Sequence, residues 1–130
     1  MASDQRDAVH SNGAPRAVGP YSQGIRCGGF VFTSGQIPID PTTGKLVEGG
    51  IGEQTKRVLE NLRAVLGAAG AAYDDVVKAT IYLTDMADFA TVNTIYASYF
   101  GATPPARSTV QVAGLPLGAS VEIDLVARVP

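Results

Sequence analysis

The sequence predicts an α+β fold, a two-layer sandwich in which two α-helices cover one face of a mixed β-sheet. Three observations predict it. The elements run in the order strands, helix, strand, helix, strands. Each helical segment carries one apolar stripe, so both can cover the same side of a sheet. A helix lying between two strands is a crossover, which favours pairing that is at least partly parallel.

Taken in order, Met1–Ala14 is a polar, loose start. Gly24–Gly35 contains the apolar stretch Phe30-Val31-Phe32 bracketed by glycines, and reads as strands joined by a tight Gly28-Gly29 turn. Gln36-Ile37-Pro38-Ile39 runs into Asp40-Pro41-Thr42-Thr43-Gly44, a turn signal, with Lys45-Leu46-Val47 as a candidate return arm of a hairpin. From Ile51 the period changes. Val58, Leu62, Val65, Leu66 and Ala69 recur at spacings of three and four, while Glu53, Lys56, Arg57, Glu60 and Arg63 fall mostly elsewhere. This is an amphipathic helix, with Gly70 placed as its C-terminal cap.

Val77, Ala79, Ile81 and Leu83 then alternate with Lys78, Thr80, Tyr82 and Thr84, a strand with one apolar face. Asp85 is a candidate N-cap, and Phe89, Val92, Tyr96 and Tyr99 follow at helical spacing, giving a second helix over Asp88–Phe100 that Pro104-Pro105 stops. Two strands close the chain, Ala106–Val112 and Ser120–Val129. In the last, Val121, Ile123, Leu125, Ala127 and Val129 form an unbroken apolar face. The opposite sheet face is mixed, with Thr80, Tyr82, Glu122 and Asp124, and must meet solvent or another subunit.

The 130 residues suit one domain, 1–130, and no repeat or low-complexity segment divides them. Ten basic and twelve acidic residues are scattered, with no Lys/Arg run to track a phosphate backbone. One cysteine, Cys27, excludes an intrachain disulfide and any multi-cysteine metal cage. The one histidine, His10, lies in the loose start, so neither a Ser/His/Asp nor a Cys/His arrangement is available. Metal catalysis could rest only on carboxylates, and no carboxylate cluster resembles such a site; no metal and no cofactor are expected. The start has no apolar run of a secretory signal, and no run approaches the ~20 residues of a membrane span, so a cytoplasmic location is expected.

Three features stand out chemically. Arg107 opens a strand just after Pro104-Pro105-Ala106, and guanidinium is the group that grips a carboxylate with two parallel hydrogen bonds. A surface arginine at a strand end fits the same position. Glu122 sits between Val121 and Ile123 and points to the mixed face with Asp124, where partial burial would raise its pKa toward the range useful for proton transfer. An ordinary solvated glutamate fits there too. The third feature is a pair of glycine-bracketed polar motifs, Gly19-Pro20-Tyr21-Ser22-Gln23-Gly24 and Thr33-Ser34-Gly35-Gln36-Ile37-Pro38, which suit either a ligand or a turn.

Taken together, these motifs resemble the Rid/YjgF family of reactive-intermediate deaminases, over about Ala14 to Val129. The resemblance rests on Ala14-Pro15 with Gly19–Gly24, on Thr33–Pro38, on Asp88-Phe89-Ala90-Thr91-Val92-Asn93, on Pro105-Ala106-Arg107-Ser108 and on Val121-Glu122-Ile123-Asp124. It implies a sandwich like that of small chorismate mutases, assembled as a homotrimer with clefts between subunits. It implies that Arg107 binds the substrate carboxylate and Glu122 positions or activates water. Tyr21, Ser34 and Asn93 would line the pocket, with Gly35 where the backbone approaches the ligand. Thr109 stands where several members carry a cysteine, and is expected to alter pocket shape or substrate preference.

The implied reaction is hydrolysis of 2-imino or 2-enamino acids, of the 2-aminoacrylate type, to 2-oxo acids and ammonia, without a cofactor. A module that binds 2-oxo acids without turnover is the rival reading, for which Arg107 alone would suffice. An endoribonuclease or translation inhibitor, a label attached to some relatives, fits less well because no basic stripe is present.

Overall fold

Alternating apolar residues dominate the middle of the chain, and they place the core. In the computed structural model, which describes residues 5–130, the strands are β1 Asp7–Val9, β2 Gly24–Cys27, β3 Phe30–Thr33, β4 Val76–Leu83, β5 Ala106–Gln111 and β6 Val121–Arg128. The helices are α1 Ile51–Ala68 and α2 Phe89–Ala97, with short 3₁₀ turns at Tyr73–Asp75, Met86–Asp88 and Pro116–Gly118. The six strands form one sheet in the order β1-β2-β3-β6-β4-β5. Only β4 and β5 pair in parallel, and α2 lies in the connection between them, so the pairing is partly parallel as expected; α1 joins β3 to β4, which do not pair.

Both helices cover one face. Val58, Leu59, Leu62, Val65 and Leu66 of α1 are buried against Val31 and the inward rows Ala79-Ile81-Leu83 and Val121-Ile123-Leu125-Ala127. The α1 stripe ends as its sequence predicts. Gly70, at φ +87°, lets Ala71 N–H reach the Leu66 carbonyl at 2.9 Å and its own N–H reach Gly67 at 3.1 Å, a Schellman closure. One α1 side chain is polar and fully buried. Asn61 donates to the Ile39 carbonyl at 2.9 Å and accepts from Arg57 Nε at 3.0 Å, which ties the loop after β3 to the helix.

Four local expectations change. Val77 is exposed and Val76 takes the inward position, because a bulge between Val76 and Lys78 resets the alternation of β4. α2 is shorter than Asp88–Phe100: a 3₁₀ turn, capped by Asp85 accepting from Ala87 N–H at 2.9 Å, precedes it, and it ends at Ala97, well before Pro104. The Lys45–Val47 arm makes one isolated bridge, Ile39 with Leu46, rather than a strand pair. Within the start read as loose, Asp7–Val9 pairs antiparallel with β2, and Val9 and Ala14 are buried; residues 1–4 lie outside the described residues. Among the described residues, no helix is long and apolar enough to cross a membrane.

Candidate active site

The predicted site residues fall into two groups. Tyr21, Ser34, Gly35 and Glu122 line one cleft of about 490 Å³, together with Pro15, Val18, Ile37 and Leu117. Backbone pairing sets its floor: Gln36 N–H donates to the Ile123 carbonyl at 2.9 Å and Ile123 N–H donates back at 3.2 Å. This pins the segment after β3 alongside Glu122. Ser34 N–H donates to the Gln23 carbonyl at 3.0 Å, and its hydroxyl donates to the Ser22 carbonyl at 2.5 Å. With its proton engaged, the Ser34 oxygen has only acceptor capacity left.

Gln23 is buried and holds the preceding loop, donating to the Pro15 carbonyl at 2.8 Å and accepting from Ser11 N–H at 2.6 Å. Tyr21, on that loop, is half-exposed at the cleft wall.

Glu122 lies across Gly35. A Cβ added there would collide with the carboxylate, lying 2.7 Å from Glu122 Cδ and 3.0 Å from Cγ, so only glycine leaves the side chain this path. Burial raises the Glu122 carboxyl above its ordinary value, and the neighbouring charge of Asp124 raises it further. Asp124 in turn accepts from Tyr82 OH at 3.0 Å.

Asn93 and Arg107 line a second cleft, of about 580 Å³, with Tyr96, Phe100, Pro104 and Pro105. The Arg107 guanidinium carbon lies 4.9 Å from the Tyr96 ring centroid and 5.6 Å from that of Phe89. Among the described residues it makes neither an ion pair nor a hydrogen bond from its side chain. Thr109 lies two residues on, along the same side of β5. Asn93 Oδ1, Tyr96 OH and Thr109 Oγ1 are all buried with no hydrogen-bond partner.

The two groups do not meet within one chain. Arg107 pairs with Ala79 and Thr109 with Ile81, so both lie on the helix-covered side of the sheet. Glu122 pairs with Tyr82, between the buried Val121 and Ile123, and therefore faces the uncovered side. The sequence motifs do not reveal this separation, because the face of Arg107 depends on its register with β4. The aromatic support of Arg107 is also absent from the sequence reading, which took Phe89 and Tyr96 only as core stripe. Its signal is the spacing Phe89, Asn93, Tyr96, four and three residues apart on one helix face.

Two helices on one face of a mixed sheet, with a guanidinium on one side and a carboxylate on the other, define a small two-layer α+β protein with a divided set of polar groups. The family model described as Endoribonuclease L-PSP matches residues 11–129, and the chain belongs to that family, the YjgF/Rid proteins. It is 53% identical over 124 residues to protein DfrA of Myxococcus xanthus, covering 94% of this chain and 95% of the relative. It is 46% identical over 127 residues to the mouse 2-iminobutanoate/2-iminopropanoate deaminase, covering 98% and 94%. The crystal structure of E. coli TdcF with bound serine superposes with a TM-score of 0.90 at 43% identity, covering 94% of this chain and 98% of that one.

Proposed function

We propose that this protein is a hydrolytic deaminase for 2-imino and 2-enamino acids of the 2-aminoacrylate type, working in clefts between copies of the chain. The observation that carries this reading is Arg107: a cation on aromatic faces, with no anion of the protein beside it among the described residues. A guanidinium so placed is open to a carboxylate from outside, a charge-assisted contact worth roughly 1.5–3 kcal/mol. The name of the mouse relative and the amino acid bound by TdcF support a substrate of that class.

The remaining groups supply the chemistry. The enamine tautomerises to the imine, and water adds at carbon 2 as Glu122 takes its proton. Glu122 passes that proton to the imine nitrogen, giving the carbinolamine. It then takes the hydroxyl proton as the carbon–oxygen double bond forms and the carbon–nitrogen bond breaks, and delivers it to the departing nitrogen, leaving ammonia, the 2-oxo acid and a free carboxylate. Proton transfer of this kind contributes on the order of 10²–10⁴ in rate. A carboxyl raised by burial suits both halves of the exchange. Asn93 and Thr109 lie beside the carboxylate end, and Tyr21, Ser34 and Gly35 beside the water end.

Assembly brings the ends together. The uncovered sheet face carries exposed Phe30, Phe32 and Val110 around the Tyr82–Asp124 pair, an apolar surface that a second copy can cover. The homotrimer implied by the resemblance closes such contacts into a ring, placing Arg107 of one protomer opposite Glu122 of its partner.

The test couples an amino-acid oxidase, or a lyase that releases 2-aminoacrylate, to the protein and follows imine decay. Acceleration that disappears in Arg107→Ala is expected. No acceleration by the folded protein with any small imino acid would overturn the reading. Binding of 2-oxo acids without turnover would move it to a binding module.

A further inference from the structure

Arg107 stands on β5, the edge strand of the sheet, and among the described residues its guanidinium has no ion-pair partner. What holds it is α2. Phe89 and Tyr96 lie on one stripe of the helix facing β5, and the guanidinium rests on both ring faces, at 5.6 and 4.9 Å. The two rings differ. Phe89 is 36% exposed, whereas Tyr96 is 5% exposed and packs on Phe100 with centroids 4.6 Å apart. Tyr96 is thus the buried, packed support and Phe89 the exposed one.

We propose that Tyr96 is a positioning residue of the carboxylate site: its ring face orients Arg107, leaving the guanidinium's in-plane N–H groups free for the ligand. The inference rests on the carboxylate-clamp reading of Arg107 but not on turnover. A carboxylate partner would satisfy the guanidinium by occupying those donors. A ring face neutralises part of the charge from above and leaves the donors in place. Tyr96 therefore holds the cation without competing for the position of the substrate. The face, and not the hydroxyl, does this: the Tyr96 oxygen is buried and makes no hydrogen bond to Arg107 or to any other described residue.

The test measures binding, by calorimetry, of 2-oxobutanoate and of its neutral amide, 2-oxobutanamide, to the assembled protein. Tyr96→Leu removes the ring and keeps an apolar side chain; Tyr96→Phe keeps the ring and removes the oxygen. The expected result is a loss of about 3- to 30-fold in affinity for the acid with Tyr96→Leu. Amide binding should be unchanged and acid binding restored with Tyr96→Phe. Equal loss for acid and amide would overturn the proposal, since a merely structural tyrosine gives that pattern. So would unchanged acid affinity with Tyr96→Leu, or a large loss with Tyr96→Phe. If Tyr96→Leu does not fold, Tyr96→Met takes its place: a selective loss for the acid, with Tyr96→Phe unaffected, supports ring-face support, and an equal loss for acid and amide, or no loss for the acid, refutes it. Failure of the deaminase reading is visible separately, as acid binding without imine decay.

Discussion

Gly35→Ala asks one methyl group to separate catalysis from stability. The new Cβ would stand 2.7 Å from Glu122 Cδ and 3.0 Å from Cγ, where ordinary contact is 3.4–4 Å. The nearest atom is Glu122 Oε2, closer still than Cδ, so the carboxylate must rotate or slide by on the order of 1 Å or more, a misplacement that costs about 10²-fold in rate. The folding cost is smaller. Glu122 is only half-buried and has room to swing, so overpacking falls near the lower end of the roughly 1–3 kcal/mol range. Loss of backbone freedom in the unfolded chain offsets about 0.4–1 kcal/mol of it. The expected result is a drop of about 10²-fold in kcat for imine decay, with a denaturant midpoint close to that of the parent. A cycle with Glu122→Gln identifies the cause. Once the carboxylate is gone, Gly35→Ala should cost little further. Full activity in Gly35→Ala, or an undiminished penalty in the Glu122→Gln background, would refute the argument that the glycine serves the carboxylate.

The remaining predictions concern pH, the loop and the helix end. The working form of Glu122 is the carboxylate, so kcat/KM rises with pH through its raised pKa; Asp124→Asn removes the neighbouring charge and should move that acidic limb to lower pH, in a pH–rate profile. Asn61→Leu strips the part-buried Ile39 carbonyl of its side-chain donor and should cost about 1 kcal/mol in urea unfolding, with weakened ligand binding as the Ser34–Ile39 loop loosens. Gly70→Ala places a Cβ at φ +87° and should cost about 1–2 kcal/mol by the same measurement, leaving imine decay unchanged.

The sequence is legible where one period persists over many residues. The α1 stripe from Val58 to Ala69 and the alternation of β6 each fix which side faces the core, and both stand in the structure as read. It misleads where one residue interrupts the period. At β4 a single bulge exposes Val77, and the apolar alternation gives no sign of it. A strand as short as Asp7–Val9 has no period to detect and forms only because β2 is there to pair with it. The candidate site divides in the same way. The types and positions of Arg107 and Glu122 are visible in their motifs. That they occupy opposite faces is a property of strand order and register, set by contacts between segments far apart in the chain. The role of Tyr96 lies between these cases. Its helix face was legible, but a cation resting on that face was not, because Arg107 comes from another element.

The separation of Arg107 and Glu122 has a genetic consequence. If each working cleft joins one chain's arginine to another chain's glutamate, a chain lacking Arg107 and a chain lacking Glu122 are each dead alone. Mixed in one assembly, they rebuild a cleft in which both groups are intact. Two null alleles of one gene would then complement each other, and a single defective allele would damage clefts in proportion to its share of the mixed rings.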